Sequence, residues 1–568
     1  MQKQIGIGKQ DFAALRESQC FYIDKTDFIR QWWDSRDDVT LITRPRRFGK
    51  TLNMSMLNCF FSNQYANRKD LFSDLLIWQY PEYRKLQGAY PVLFLSFASV
   101  KADNAADAKK QVKSRIVSLY QDYEYLLEME KLSVSEKSAY QKILTEMSAM
   151  DDVTACDSLN NLCRYLEHVY GKKVIVLLDE YDTPMQEAYV NGYWEELTSF
   201  LRNLFNAAFK TNVCLERAIM TGITRVSKES MFSDLNNLNV VTTTSDQYVD
   251  CFGFTEAEVF DALKEFQIAD KKDEVKRWYD GFTFGSSRDI YNPWSITNYL
   301  DKKQLRPYWA DTSSNRLINQ LLQSASGEMK TMMETLLAGK TITVNLDEQI
   351  VFDQLEQNEN AVWSLLLAGG YLKADQVEFK GITREPWYTL SITNLETVRM
   401  FSGMFKGWFE RSLSNYNGFV KAMIQGDVEA MNYYMNKVSM ATFSYFDVGS
   451  RSGNDTEPER FYHGFVLGLM ADQADAYELR SNRESGFGRY DIMMIPKERA
   501  DKTLPAVIME FKVQSSRETD PEETVQAALA QIREKNYDAE LIALGFEKEQ
   551  IRHYGFAFQG KKVWIGEE

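Results

Sequence analysis

A Gly49-Lys50-Thr51 triplet follows an apolar run and a basic loop, and an amphipathic segment comes after it. This is the layout of a phosphate-binding loop between a strand and a helix, in which the lysine reaches the β/γ-phosphates and the hydroxyl residue holds Mg²⁺. The loop departs from the GxxxxGK[ST] pattern, because Arg44 stands where the first glycine would fall. Since the triplet alone is common by chance, a nucleotide site needs a second signal.

An apolar run over residues 174–178 supplies that signal, because it ends in Asp179-Glu180. Five apolar residues in a row, mostly β-branched at the start, predict a strand that is buried on both faces of a parallel sheet. Open α/β sheets bind ligands at the carboxyl ends of their strands. We therefore expect Asp179 to hold the Mg²⁺ shell and Glu180 to orient or deprotonate the attacking water. The alternative is a strand that ends in a solvated acidic turn.

Basic and aromatic residues near the triplet extend the predicted ATP–Mg²⁺ site. Arg44, Arg46 and Arg47 form a cluster that could contact the phosphates of a nucleotide or of nucleic acid, and the neighbouring lysine favours the nucleotide. Phe21 or Tyr22 could stack on adenine, although the high aromatic content makes a packing role equally compatible. Backbone N–H groups at the start of the following helix would receive the anion. The loop residues assigned to the nucleotide are Arg46, Arg47, Phe48, Gly49, Lys50 and Thr51.

A second set of charged residues, Asp491, Glu510 and Lys512, lies in two strand-like runs near the C-terminal end. Glu510 and Lys512 are two residues apart, so in a strand they point to the same face. This set suits metal-assisted hydrolysis of a phosphodiester: Asp491 and Glu510 would ligate Mg²⁺, which prefers oxygen. Lys512 would position the water or stabilise the developing charge. The alternative is a surface strand that carries an ordinary Glu-x-Lys pair.

The elements that position these residues change in character along the chain. Strand-like and helix-like runs alternate over residues 1–285, which predicts a doubly wound parallel sheet. Residues 286–435 predict a mostly helical connecting domain, with a winged helix as one option. Residues 436–568 contain the second set of charged residues. The predicted fold class is therefore α/β, with three domains at these boundaries.

Composition limits the class of protein. A chain of 568 residues is too long for one core, and 44% hydrophobic residues are typical of globular domains. The net charge of −15 argues against a uniformly basic surface, although local patches still decide nucleic-acid binding. Six scattered cysteines without a CxxC pair indicate reduced thiols in a cytoplasmic protein. The sequence shows no signal-peptide pattern and no apolar run of about 20 residues, so no membrane partner is expected.

The motifs of both halves resemble one family of bacterial proteins, which join an N-terminal AAA-ATPase-like domain to a C-terminal PD-(D/E)xK nuclease-like domain. Together these motifs span nearly the whole chain. The N-terminal resemblance is carried by residues 7–12, 22–26, 44–51, 178–182 and 221–225. The C-terminal resemblance is carried by Glu459 with residues 462–465, then by residues 488–491 and 510–512, and by Gln531, Ile532 and Tyr537.

The resemblance implies a P-loop ATPase fused to a restriction-endonuclease-like fold, with ATP and Mg²⁺ as cofactors. It further implies Thr221 as a polar sensor after the fourth strand and Glu459 as an additional catalytic carboxylate. Each has a structural alternative: a buried hydrogen-bonded threonine, and a capping box formed by Thr456 and Glu459. Arg225 is either a finger on a neighbouring subunit's nucleotide or a partner in an ion pair. His463 is expected to be a core or interface residue.

Two functions follow from the sequence. One is an ATP-regulated DNA endonuclease. The other is an ATP-dependent switch or scaffold, whose nuclease-like domain only binds nucleic acid or a protein partner. The intact set of Asp491, Glu510 and Lys512 favours the nuclease, because a degraded domain is expected to lose at least one of them. DNA is the expected nucleic acid, whereas its sequence preference, the pathway and the oligomeric state, with a homo-oligomer among the options, stay open.

Overall fold

The computed structural model of the chain describes residues 3–210, 212–225, 235–310, 315–346, 355, 358–410, 413–446, 457–485, 488–499, 501–514, 520–559 and 561–568. The chain divides into two compact units. The N-terminal unit comprises residues 1–313, 345–388 and 393–396, and the C-terminal unit comprises residues 314–344, 389–392 and 397–568. Across the described ranges, no helix has the length and apolar character needed to cross a membrane.

A parallel five-stranded sheet lies at the centre of the N-terminal unit, as the doubly wound pattern predicted. Its strands are β1 (Val39–Thr43), β2 (Val92–Ser96), β3 (Val174–Asp179), β4 (Leu215–Gly222) and β5 (Leu238–Val241), in the spatial order β2-β3-β4-β1-β5. Every residue of β1 and β3 is buried, which is why these runs are continuously apolar rather than alternating. Thr43 pairs with Gly222 and Leu178 with Met220, so the carboxyl ends of β1, β3 and β4 meet at one edge.

Helices connect and cover this sheet. The long polar stretch between β2 and β3 forms three helices, and each begins at a side-chain cap, from Asn104, Ser133 and Asp151. A π-helical turn, Asn206–Lys210, continues the helix Trp194–Phe205, which precedes β4. The helices are α1 (Phe12–Glu17), α2 (Asp27–Ser35), α3 (Lys50–Phe61), α4 (Pro81–Arg84), α5 (Ala105–Asp122), α6 (Val134–Glu146), α7 (Asp152–Tyr170), α8 (Thr183–Asn191) and α9 (Trp194–Phe205).

A smaller sheet and an aromatic cluster follow the parallel sheet along the chain. Three short strands pair in the order β6-β8-β7. The adjoining helices enclose a core that includes Leu263, Tyr279, Tyr291 and Ile296. The elements of this region are β6 (Phe254–Thr255), α10 (Glu256–Glu265), α11 (Lys272–Tyr279), β7 (Phe282–Phe284), β8 (Ser287–Tyr291) and α12 (Pro293–Lys302).

The middle of the chain is mainly helical but also contains strands. A glycine pair ends the helix over 359–368, and the chain then turns into a strand. The elements are α13 (Arg316–Ser324), α14 (Gly327–Leu337), β9 (Ile342–Asn345), α15 (Glu359–Ala368), β10 (Leu372–Lys380), β11 (Glu385–Ile392), α16 (Leu395–Gly407), α17 (Leu413–Gln425) and α18 (Val428–Phe446).

A mixed five-stranded sheet forms the C-terminal part of the chain, in the order β12-β13-β14-β15-β16. β14 and β15 are parallel and are joined through α20, whereas the other neighbours are antiparallel. The apolar face of α20, formed by Val525, Ala528, Leu529 and Ile532, is buried against the sheet. The elements are α19 (Glu457–Gln473), β12 (Tyr477–Ser485), β13 (Gly488–Pro496), β14 (Ala506–Val513), α20 (Pro521–Glu534), α21 (Asp538–Ala543), β15 (Ile551–Gln559) and β16 (Lys562–Glu567).

Side chains of α18 protect the edge strand β16. Asn432 donates to the carbonyl of Ile565 at 2.7 Å and accepts from its N–H at 2.9 Å. One helical turn later, Asn436 makes the same pair of bonds with Val563, at 2.6 and 3.0 Å. The two amides therefore replace a neighbouring strand and satisfy backbone groups that an open edge would expose.

Candidate nucleotide and metal sites

The basic loop between β1 and α3 is held by two residues with positive φ. Gly49 has φ of 81° and Arg47 has φ of 65°. Glycine adopts this conformation readily, whereas a residue with a side chain does so at a cost and most often at functional sites. Lys50 is the first residue of α3, so the loop delivers it directly at a helix N-terminus.

The ammonium group of Lys50 lies inside this loop. Its Nζ donates to the carbonyls of Arg44 at 2.9 Å and Pro45 at 2.8 Å. Burial lowers the pKa of Lys50, and the carboxylates of Glu180 and Asp179 oppose that effect. The structure thus brings Lys50 close to the acidic end of β3, with hydrogen bonds that a phosphate could replace.

Asp179 connects the ends of three elements. The Thr51 hydroxyl donates to its Oδ2 at 2.8 Å, and the Thr221 hydroxyl donates to its Oδ1 at 2.5 Å. Burial raises the pKa of the Asp179 carboxyl, and the two hydroxyl donors oppose that effect. A carboxylate and a hydroxyl in contact offer the oxygen ligands that Mg²⁺ requires, so this group of residues fits the cation.

Glu180 and Asp182 follow Asp179 and have different environments. Glu180 has φ of 51° and accepts a hydrogen bond from the Thr183 hydroxyl at 3.1 Å. Asp182 is buried and accepts from the N–H groups of Ile223 at 3.0 Å and Thr224 at 2.9 Å. Asp182 therefore holds the segment after β4 in place beside the site. The sequence motif contained Asp182, but no local pattern revealed this long-range pairing.

Arg44 does not belong to a phosphate-binding cluster, so this part of the sequence prediction is wrong. Its side chain is fully buried. The guanidinium donates to the carbonyls of Thr242 at 2.7 Å and Gln247 at 3.1 Å, and it lies 4.7 Å from the centre of the Phe284 ring. Burial lowers the pKa of Arg44 to about 10. Arg44, which stands in place of the first loop glycine, thus holds the segment just after β5 against the loop.

The other loop side chains divide between the loop surface and the core. Arg46 donates to the Gln186 side chain at 3.3 Å, and Arg47 is exposed and lies 4.6 Å from the centre of the Trp294 ring. Phe48 is 1% exposed and packs its ring against both phenylalanines of β7. Phe48 can therefore bind the nucleotide only through its backbone, whereas both arginine side chains remain candidates for binding the phosphates.

The aromatic residues predicted as alternatives for adenine stacking are packed into the fold. Phe21 is buried and meets the Phe266 ring edge to face at 5.2 Å. The Tyr22 hydroxyl donates to the Met56 sulfur at 3.5 Å. These contacts favour the packing role for both rings.

Arg225 was expected to be either a finger on a neighbouring subunit's nucleotide or a partner in an ion pair. Within the described ranges, Arg225 has no ion pair.

Asp491 and Glu510 lie on neighbouring strands of the C-terminal sheet. Ile492 of β13 pairs with Met509 of β14, which sets the two carboxyl-bearing residues side by side. The Asp491 Oδ2 accepts from the N–H of Phe511 at 2.8 Å. The two acids that the sequence analysis assigned to one metal are therefore adjacent on paired strands, and their role as ligands stays a prediction.

Glu510 is the most perturbed acid of this site. It is 4% exposed, and burial together with the charge of Asp491 raises its pKa to about 8, against the opposing effect of Lys512. Its Oε2 is buried and makes no hydrogen bond of normal geometry with the residues that the structure describes, although the nearby backbone N–H of Asp491 lowers the pKa of the carboxyl slightly. Buried carboxylate oxygens normally have a donor or a cation. The oxygen ligands present here therefore fit a hard divalent cation.

Gln531 of α20 joins the parts of this site. Its Nε2 donates to Glu510 Oε1 and to the Tyr537 hydroxyl, and its Oε1 accepts from Lys512 Nζ at 2.7 Å. The helix comes this close because Gly555 of β15 has no side chain. A Cβ there would lie 2.8 Å from a carbonyl oxygen of α20. The sequence motif included Gln531 and Tyr537, but their contacts depend on how α20 packs.

Glu459 remains a prediction from the resemblance. It lies in α19, but its side chain is outside the described residues, as is that of His463. Thr456, the other member of the expected capping box, also lies outside them. The structure therefore bears on neither the catalytic nor the capping interpretation.

An acidic cluster that the sequence analysis missed lies in the N-terminal unit. Carboxylate oxygens of Glu256, Asp280 and Asp289 come within 4.8 Å of one another. Burial and the neighbouring Asp289 raise the pKa of Asp280 to about 7. Lys276 forms ion pairs with all three acids, at 3.8 Å from Asp280 and 3.7 Å from Asp289. The cluster thus already contains a cation from the chain itself.

Comparison with known proteins supports the expected resemblance at both ends of the chain. Residues 6–232 match the AAA-ATPase-like family model, described as "Predicted AAA-ATPase", and residues 457–568 match that of the PD-(D/E)XK nuclease superfamily. The chain is also similar to an "Uncharacterized protein in vnfD 5'region" of Azotobacter chroococcum mcd 1. The two are 27% identical over 407 residues, which cover 69% of this chain and 68% of that protein. The resemblance is therefore confirmed for the two domains.

Proposed function

We propose that the AAA-ATPase-like domain and the PD-(D/E)XK nuclease-superfamily domain make this chain an ATP-regulated, metal-dependent DNA endonuclease. The observation that carries the proposal is a buried oxygen of Glu510 that makes no hydrogen bond with the residues that the structure describes, beside Asp491 and Lys512. Gln531 links Glu510 to Lys512, and the N–H of Phe511 binds Asp491. A structural ion-pair cluster would be expected to satisfy that oxygen. The lack of a donor among the described residues favours a site that is completed by a cation.

The nuclease roles follow from the chemistry of these side chains. Asp491 and Glu510 would hold Mg²⁺, because adjacent carboxylates supply its preferred ligands. When bound, the cation polarises the scissile phosphate and makes water a stronger nucleophile. Lys512, held by Gln531 at 2.7 Å, would stabilise the charge that develops on the phosphate. Glu459 is proposed as a further carboxylate of this site on the resemblance alone.

The nucleotide roles follow from the loop and the edge of the sheet. Lys50 would exchange its two carbonyl acceptors for β/γ-phosphate oxygens, and Arg46 and Arg47 would bind the remaining phosphate charge. Thr51 and Asp179 would hold the Mg²⁺ of the nucleotide. Thr221 would keep Asp179 oriented, as its hydroxyl donates to that carboxylate at 2.5 Å. Glu180 would orient or deprotonate the attacking water.

The test is cleavage of supercoiled plasmid by the purified full chain, with Mg²⁺ or Mn²⁺, in the presence and absence of ATP. We expect metal-dependent nicking or linearisation that changes when ATP is added. Asp491→Ala and Lys512→Ala should each abolish cleavage but retain ATP binding. Lys50→Ala should abolish ATP binding and the effect of ATP on cleavage. Glu180→Gln should bind ATP and hydrolyse it slowly, as measured by phosphate release.

The matched control is Lys535→Ala, which removes an exposed lysine just after α20. It should cleave like the wild type. Cleavage that persists in both Asp491→Ala and Lys512→Ala would assign the activity to another site or a contaminant. If the wild type cleaves neither DNA nor RNA with either metal and ATP, the switch or scaffold function replaces the nuclease.

A further inference from the structure

The phosphate-binding loop is flanked by one indole ring, that of Trp294 near the start of α12. The Arg47 guanidinium lies over this ring, 4.6 Å from its centre. Arg47 is itself exposed, and Trp294 is half-buried against the aromatic cluster of the N-terminal unit. A long, flexible and exposed side chain therefore lies over this ring next to the loop.

One hydrogen bond holds the indole ring, and a second holds the backbone of the same residue. Its Nε1 donates to the carbonyl of Tyr308 at 3.2 Å. Asn292, the N-cap of α12, accepts from the N–H of Trp294 at 2.9 Å and donates to the carbonyl of Arg46 at 3.3 Å. Asn292 thus ties the helix that carries the indole to the loop itself. A ring that is held at its edge, with an exposed side chain over its face, is suited to stacking.

The two aromatic residues predicted for adenine stacking and the phenylalanine of the loop itself do not offer such a face. The rings of Phe21 and Phe48 are buried in the core, and Tyr22 is held against Met56. Arg47 precedes Lys50 by three residues, so their Cα atoms lie within about 11 Å. A nucleotide whose terminal phosphates reach Lys50 can therefore extend its base towards Trp294.

We propose that Trp294 is the stacking platform for the base of the bound nucleotide, and that Arg47 occupies the base's place while the site is free. On binding, the guanidinium exchanges the ring for a phosphate, and the base takes the vacated ring face. Arg47 is suited to both positions, because a guanidinium stacks on aromatic rings and binds phosphate oxygens. This inference rests on the proposed nucleotide site and adds the residue that recognises the base.

The experiment compares two ligands that differ in the base, ATP and inorganic triphosphate, by calorimetry on the full chain with Mg²⁺. Stacking on an aromatic ring is typically worth a factor of about 5 to 150 in affinity. We expect the wild type to bind ATP at least about fivefold more tightly than triphosphate. Trp294→Leu should lose that preference and leave triphosphate affinity within about twofold of wild type. Arg47→Ala should weaken both ligands, because it acts on the phosphates.

The matched control is Trp278→Leu. It removes another half-buried indole of the same aromatic cluster, which lies on α11 and not on α12. It should retain the wild-type preference for ATP. Equal weakening of both ligands by Trp294→Leu would overturn the inference and show that the indole only supports the loop. Equal affinity of the wild type for ATP and triphosphate would overturn it without any variant. If the wild type binds neither ligand, the proposed nucleotide site itself fails.

Discussion

Replacing Glu510 by glutamine should stabilise the metal-free protein at alkaline pH although it abolishes cleavage. Glu510 is 4% exposed and lies beside Asp491, and its pKa rises from 4.5 to about 8 in the folded chain. Because the folded pKa lies above the unfolded value, the folded state keeps a proton that the unfolded state releases. The contribution of Glu510 to stability is therefore most favourable at acidic pH and decreases as the pH rises from about 4.5 to 8.

The magnitude follows from the two pKa values. A glutamate with pKa values of 4.5 and about 8 in the unfolded and folded states lowers the free energy of unfolding by about 1.4 kcal/mol at pH 5.5 and by about 4.6 kcal/mol at pH 8.5. The difference of about 3 kcal/mol is an upper value, because water entry and side-chain relaxation screen a buried charge. We expect between about 1 and 3 kcal/mol.

The assay is denaturant unfolding in EDTA at pH 5.5 and 8.5, followed on the transition that Mn²⁺ shifts in the wild type. The gain in unfolding free energy of Glu510→Gln over the wild type should be larger at pH 8.5 than at pH 5.5. The difference between the two gains should be about 1 to 3 kcal/mol. Any change in the contacts of the new amide is common to both pH values and cancels in this difference. Glu534→Gln, at the exposed end of α20, is the matched control and should show no such pH-dependent gain.

The reasoning would be refuted if Glu510→Gln changed stability by the same amount at both pH values. In that case the carboxylate is not held in a buried environment in the metal-free protein. The lack of a donor to its Oε2 among the described residues would then give no support for a cation site. A gain in stability together with lost cleavage would instead identify Glu510 as a residue kept for function at a cost to the fold.

Three further substitutions test how the sites are built. Thr221→Val removes the hydroxyl that donates to buried Asp179, and should cost about 1.5–3 kcal/mol in the unfolding transition that ATP shifts; an unchanged midpoint would contradict that hydrogen bond. Gly555→Ala places a Cβ 2.8 Å from the Val525 carbonyl oxygen, so it should displace α20. Plasmid cleavage should fall at least about tenfold, whereas the ATP affinity measured by calorimetry should not change. Normal cleavage would show that the helix can move without loss of activity. Lys50→Arg keeps the charge but cannot fit between the two loop carbonyls, so nucleotide binding by calorimetry should fall at least about tenfold.

Local patterns were sufficient to predict the elements that carry the chemistry. The run that ends at Asp179 is continuously apolar because the strand is covered on both faces, and the structure buries all its residues. The two-residue spacing of Glu510 and Lys512 predicted a shared strand face, and both side chains bond to Gln531. Such predictions succeed because strand and helix periodicity depend on neighbouring residues alone.

Arg44 and Asp182 show where local patterns were insufficient. Arg44 stands in a basic loop beside Arg46 and Arg47, but it is buried against carbonyls that lie 198 and 203 positions further along the chain. Asp182 follows the strand like any acidic turn residue, yet it binds the N–H groups after β4. Neither partner lies near in sequence, so only the packing of β1, β3, β4 and β5 side by side could assign these roles.

The sequence by itself determined which residue types were available: a lysine and a threonine at the start of a helix, an aspartate at the end of a buried strand, and an acid-acid-lysine set in paired strands. The tertiary structure decided which of them meet and what surrounds them. Gln531 reaches Glu510 only because Gly555 lets α20 approach the sheet, and Trp294 flanks the loop only because Asn292 binds it. The physical reason is that burial and hydrogen bonding act through space, whereas sequence spacing reports only distances along the chain.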